Sequence, residues 1–238
     1  MEKRKMSEAE KDRTGIPPKL FGWCRRWSSE IGKLDGNQSR ISYMQSELPE
    51  LLTETGIFVE ILSSIAEVKS NPLVRTPTMF DSEMVLYRDP HGQFSVRMYL
   101  WEPGAFDPIH DHNSWGVIGT ASGGLTVTTY RRRNPDCSQT RATLDQTSSE
   151  IVSLGDTYTV FPLEDGIHRT GNPGLYTIIQ VGVYGENLTG RNYINIFHES
   201  DGRIERLFSL QEKKRMLARE ALVIFGGETT REQGSAVV

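Results

Sequence analysis

Hydrophobic positions recur at helical spacing through the first third of the chain and at a spacing of two through most of the remainder. Leu20, Trp23, Cys24 and Trp27 stand at i, i+3, i+4 and i+7, and Phe58, Ile61, Leu62 and Ile65 repeat the pattern. This predicts two to four short helices between about 19 and 70, with Pro49 opening one of them at its first turn. Asn71-Pro72 and Thr76-Pro77 then mark a boundary loop. Strands are predicted over 83–88, 94–101, 125–130, 150–154, 157–161, 176–184 and 191–197, with Asp89-Pro90-His91-Gly92 as the turn between the first two. In 94–101 the alternation places Phe94, Val96, Met98 and Leu100 on one face and Ser95, Arg97, Tyr99 and Trp101 on the other. Residues 134–149 read as a polar surface loop with room for one edge strand. Residues 204–225 read as a helix offering Leu207, Leu210, Leu217 and Leu222 for packing, followed by a frayed end.

Such a run of short strands with Gly, Pro and Asn at the turns predicts a mainly β domain, a sandwich or closed barrel. The organisation expected is a disordered charged arm over 1–15 and a helical segment over 16–75 packed on the barrel. The barrel itself spans 76–200, and a C-terminal helix and tail span 201–238. At 238 residues the chain is long enough for one such domain with terminal additions.

Charge narrows the partners. A net charge of −4 and a pI near 5.8 give no nucleic-acid footprint. Arg131-Arg132-Arg133 reads as an exposed strand end. No apolar run of about 18 residues suits a membrane span, and the N-terminus lacks the apolar core of a signal peptide. Cys24 and Cys137 read as free thiols, and Asn187-Leu188-Thr189 as a chance sequon. The expectation is a cytoplasmic monomer or homodimer with no membrane or nucleic-acid partner.

The candidate chemistry lies in Pro108-Ile109-His110-Asp111-His112. Histidines at i and i+2 share one face of a strand, where their imidazoles can converge on one cation. His168 comes much later, just beyond another predicted strand, and the hairpins between can fold it back beside the pair. Three of the five histidines thus form one candidate metal site. Neutral imidazole suits Fe, Zn, Cu and Ni, and three ligands leave positions open for reaction. Zinc hydrolysis and iron chemistry both remain open on spacing alone. Asp111 points away from its neighbours on a strand and reads as a supporting residue.

Gly104, five residues, His110-x-His112 and then Gly123 resemble the first cupin motif, and Gly155 through His168 and Asn172 a loosened second one. Gly116 stands where ordinary cupins carry a ligand glutamate. With Trp115-Gly116-Val117-Ile118-Gly119, this departure resembles the thiol dioxygenases, nearest the bacterial 3-mercaptopropionate dioxygenase-like branch, over about residues 84–195. The resemblance implies a cupin fold, a double-stranded β-helix or jelly-roll barrel. It implies Fe(II) held by His110, His112 and His168, and a small thiol carboxylic acid and O2 as substrates, giving a sulfinate.

It also makes Tyr184 the tyrosine of the family's Ser-x-His-x-Tyr relay, with Gln180 and Gly182 replacing the other two members. Gly182 is expected to leave room for a bulkier substrate or a water. Arg88 and Arg191 become the candidates for gripping the substrate carboxylate, with Arg97 third. The cysteine–tyrosine crosslink of some animal members cannot form, because Gly116 occupies the cysteine position. The rival readings are an iron cupin oxygenase acting on carbon and a non-catalytic metal-binding or sensor cupin.

Overall fold

The computed structural model describes residues 16–68, 70–133 and 139–233. The expected arm over 1–15 and Cys137 lie outside the described residues. Four helices open the described part of the chain: Pro18–Ile31 (α1), Gly36–Leu52 (α2), Thr55–Glu67 (α3) and the single turn Pro72–Arg75 (α4). In α1 the stripe Leu20, Cys24, Trp27 and Ile31 is fully buried, while Trp23 lies at its edge, its ring 5.7 Å from that of Trp27. The proline pair starts α1 and Asn71 caps α4, its Oδ1 accepting from Leu73 N at 2.9 Å.

Pro49 does not open a helix; it sits inside α2, near the C-terminal end. A proline there forfeits the bond to the Gln45 carbonyl. Burial of Leu48, Leu51 and Leu52 around it offsets that loss, so packing overrides the local preference.

Eleven strands follow among the described residues. The first five are Glu83–Arg88 (β1), Phe94–Trp101 (β2), Ile109–His110 (β3), Gly116–Ser122 (β4) and Leu125–Arg132 (β5). The others are Leu144–Val152 (β6), Thr157–Val160 (β7), His168–Gly171 (β8), Ile178–Gly185 (β9), Tyr193–Phe197 (β10) and Ile204–Phe208 (β11). A last helix, Leu210–Gln233 (α5), ends the described chain. One sheet has the order β1-β2-β9-β4-β7, and the other β11-β10-β3-β8-β5-β6. The chain crosses between them so that β2-β9-β4-β7 faces β3-β8-β5-β6, with every named strand pair antiparallel. That order is a jelly roll.

The first sheet is covered on both faces. Phe94, Val96 and Met98 of β2 pack outward with Val117, Val181 and Val183 against the buried stripes of α1 and α2. Tyr99, Trp101, Ile118 and Tyr184 point inward with Leu125, Val127 and Val160. The predicted faces of β2 are thus the observed ones.

Three boundaries differ from the sequence reading. β6 begins at Leu144 instead of 150, because pairing with β5 from Val152 back to Leu144 draws the polar segment into an edge strand. Residues 204–208 form β11 instead of a helix. Their Glu, Arg and Leu content suits a helix, but pairing along β10 from Tyr193 to Phe197 decides the outcome. The helix starts only after Ser209, whose hydroxyl accepts from Glu212 N. Leu217 and Leu222 of α5 stand exposed, so the expected packing of this helix on the barrel is not observed. No helix among the described residues is long and apolar enough to cross a membrane.

Candidate metal centre

The three histidines arrive from different parts of the jelly roll. His110 ends β3 and His168 begins β8, and the two are paired in register. His112 lies just beyond β3 instead of within it, in a loop tied down by Asp111. That carboxylate is buried and turned away from the histidines, as the strand alternation suggests. It accepts from Asn195 N and Nδ2, both at 2.8 Å, and from Arg191 Nη1 at 3.1 Å.

The ring centroids of His110, His112 and His168 form a near-equilateral triangle with sides of 4.8, 4.6 and 4.7 Å. Their Nε2 atoms point inward: His112 to His168 is 2.9 Å, and His168 to His110 is 3.3 Å. Nitrogens bound about 2.0–2.1 Å from one ion, at angles from square to tetrahedral, stand about 2.8–3.4 Å apart. The observed separations fit that set. Among the described residues no carboxylate joins the group.

The outer nitrogens fix which ring nitrogen faces inward. His110 Nδ1 donates to the Pro108 carbonyl at 2.9 Å, and His168 Nδ1 meets the Tyr158 hydroxyl. The carbonyl contact leaves His110 Nε2 with its lone pair inward, the form a metal requires, and His168 takes the same form when its Nδ1 donates to the Tyr158 hydroxyl. Burial, and then the neighbouring histidines, hold His112 and His168 well below the ordinary imidazole pKa. With all three lone pairs turned inward, the rings have no hydrogen bond to offer one another and call for a proton or a cation between them. A metal ion supplies the missing charge, so the residues fit it.

The same pKa shift has a consequence for stability. Between the depressed folded value and about 6.5, the unfolded chain binds protons at these two positions and the folded chain does not. Metal-free protein is therefore expected to lose stability as pH falls below about 6.5. Urea midpoints between pH 8 and 5 check this, and a flat profile would contradict the burial of neutral rings.

Above the histidines lies a cavity of about 430 Å³. Tyr184 forms one wall, its ring stacked on His112 with centroids 5.9 Å apart and planes 13° from parallel. The ring leans over Gly182, where an added Cβ would come within 2.5 Å of it, and against Gly116, where the approach is 2.7 Å. The space expected over Gly182 is therefore filled by Tyr184 itself. Burial raises the Tyr184 pKa, against the opposing influence of Arg97 and of a hydrogen bond to Tyr99, so the phenol stays protonated through the neutral range. Gln180 is buried on the same face and accepts from Trp101 Nε1 at 2.8 Å.

The three arginines separate. Arg88 lines the cavity and makes no ion pair shown among the described residues. Partial burial and the nearby Arg97 charge lower its pKa. Arg97 also lines the cavity, its guanidinium 5.4 Å from the Tyr184 ring centroid and 2.5 Å from the buried Glu83 carboxylate. Arg191 is directed elsewhere. It donates to Asn113 Oδ1 at 2.9 Å and to the His112 carbonyl at 3.4 Å in addition to its Asp111 pair, bracing the loop that carries His112.

Four residues that the sequence reading did not single out complete the site: Glu83, Tyr99, Tyr158 and Asp107. Asp107 accepts from Thr170 N and Oγ1 at 2.6 and 2.9 Å and stands 3.7 Å from His110 Nδ1. Only Tyr99 had a signal in the sequence, since it shares the inward face of β2 with Arg97.

A jelly roll with a histidine from each of two paired inner strands, and a third just past the first, decides the architecture. The fold is that of the cupins. No protein-family model matches the sequence. Similar solved structures include the Cupin_2 domain of an XRE-family transcriptional regulator from Enterobacter cloacae (13% identity, 43% of this chain and 93% of that one, TM-score 0.32). A Cupin 2 conserved barrel domain protein from Salinispora arenicola is 14% identical over 50% of this chain and 89% of that one, with a TM-score of 0.35. A cupin-like protein from Thermotoga maritima is 19% identical over 55% and 78%, with a TM-score of 0.34. Among the described residues, the stretches outside the barrel are the helical layer behind the first sheet and α5.

Proposed function

We infer that this cupin is a non-haem Fe(II) dioxygenase acting on a small thiol carboxylic acid. The observation that carries the reading is the set of three convergent Nε2 atoms, with no carboxylate among them in the described residues, two of whose rings, His110 and His112, line a cavity with Arg88, Arg97 and Tyr184. His110, His112 and His168 would hold the metal, and Fe(II) would supply open positions for a thiolate and for O2. The net reaction is R–S⁻ + O2 → R–SO2⁻. Both oxygen atoms go to sulfur, so no external reductant is consumed.

The surrounding residues have distinct parts in this reading. Arg88 receives the substrate carboxylate, because it is the cavity's guanidinium without an acidic partner shown among the described residues. Arg97, neutralised by Glu83, adds a donor edge and holds Tyr184 in place. Arg191 acts through the His112 loop instead of on the substrate. Tyr184, protonated and stacked on His112, offers an O–H to the reacting end of the cavity.

The test is anaerobic reconstitution with Fe(II), then O2 uptake with cysteine, 3-mercaptopropionate, mercaptosuccinate, cysteamine and larger thiol acids. One O2 per thiol, with a sulfinate product two oxygen atoms heavier, is expected for at least one acid. Iron-loaded protein that consumes no O2 with any of them would end the thiol reading and favour carbon-directed chemistry or sensing. Tyr184→Phe is expected to reduce kcat by about 10²-fold and leave iron content at the wild-type level. Iron loss in that variant would remove Tyr184 from its assigned part.

A further inference from the structure

A second cavity of about 750 Å³ lies on the far side of one residue from the first. Phe80 lines both. It is half-buried, on the segment between α4 and β1, and its ring stands 5.3 Å from that of His110. The Glu83 carboxylate completes the partition. Oε1 holds Arg97 on the histidine side, and Oε2 accepts from Met79 N at 3.0 Å and Phe80 N at 3.4 Å. The residue common to the two linings is thus an aromatic ring on a short segment tethered to one carboxylate.

The two chambers differ in chemistry. The histidine chamber carries Arg88 and Arg97 beside Asp89 and Glu186. Arg97 is paired with Glu83 and Glu186 with Arg40, and the Asp89 carboxylate is turned to the backbone of His91 and Gln93. That leaves Arg88 as the chamber's cation without an ion pair shown among the described residues. The second is lined largely by apolar side chains, among them Leu73, Val74, Leu100 and Phe106, and its charged groups are mostly acidic, Asp81 and Glu102 included. An anionic head is favoured in the first, and a second anionic group is disfavoured in the second. An uncharged apolar chain suits it.

We propose that the two chambers form one bipartite ligand site, with Phe80 as the residue that sets ligand length: the head lies over the histidines and an apolar chain passes Phe80 into the second chamber. The ligand class is a medium-chain aliphatic or aryl-alkyl acid, not only the smallest thiol acids. The proposal rests on the reading of the histidine chamber as the seat of a small anionic head.

The experiment uses the full metal-free chain and calorimetric titration with butanoate, hexanoate and octanoate. Affinity is expected to rise about two- to fourfold per added methylene. Phe80→Ala should steepen the rise. Val74→Trp, at an exposed position in the wall of the second chamber, should abolish it and leave butanoate unchanged. Equal affinity for butanoate and octanoate in both wild type and Phe80→Ala, no octanoate binding in either, or a rise that survives Val74→Trp would each overturn the proposal. Thiolate ligation is read separately, as a charge-transfer band on adding 3-mercaptopropionate to Co(II)-loaded protein. Its absence beside an intact chain-length effect would remove the thiol reading and leave the bipartite site standing.

Discussion

His168→Ala is expected to lower metal affinity by roughly a thousandfold, beyond the ~10–100-fold that loss of an outer hydrogen-bond partner brings. The expectation comes from symmetry. The three rings are nearly equidistant, the inward nitrogens of His112 and His110 lie 2.9 and 3.3 Å from that of His168, and among the described residues no carboxylate joins the group to substitute. In the metal-free state the substitution removes one of three buried lone pairs that face each other, so the apo fold should survive it. Wild-type protein at metal about 100-fold above its Kd gains about 2.7 kcal/mol, a rise of roughly 5–10 °C in Tm for a chain of this size. The variant should show no such rise and an apo Tm within a few degrees of wild type. Collapse of the apo fold in His168→Ala would make the histidine cluster structural and weaken the case for an enzyme.

The second large effect concerns a residue with no side chain. Gly182→Ala would set a Cβ 2.5 Å from Tyr184 Cε2 and 2.9 Å from its hydroxyl. The ring cannot retreat freely, because it lies so close over Gly116 that even a Cβ there would come within 2.7 Å of it, and His112 lies against its face. Overpacking of this kind costs about 1–3 kcal/mol, relieved here by rotating the phenol away from His112. Turnover should fall about as far as in Tyr184→Phe, with iron content unchanged. The double variant should be little worse than either single one, since both act on one phenolic hydroxyl. Additive losses would mean that Gly182 serves the reaction by some route other than Tyr184.

The histidine cluster was legible because its signal is local: two ligands at i and i+2 and a third inside a second recognisable motif. The inward face of β2 was legible through alternation, which placed Arg97, Tyr99 and Trp101 together before any partner was known. The choice among arginines was not. Arg191 looked available, but its partners Asp111 and Asn113 lie about 80 residues away and meet it only when β10 pairs with β3. Glu83 and Arg97 likewise meet through the β1–β2 register, and Tyr158 reaches His168 across two sheets. Residues 204–208 failed in the opposite sense, their helical composition yielding to a neighbour strand that no local window contains.

The helical layer behind the first sheet fixes where this molecule can move. β9, which carries Gln180, Gly182 and Tyr184, has β2 on one side and β4 on the other, helices against one face and the barrel interior against the other. Its amides should therefore be among the slowest to exchange with deuterium, opening only in global unfolding. Residues 76–82 and 186–192 have no such cover. Exchange there should be faster by orders of magnitude, and ligand should slow those amides while leaving β9 as it was.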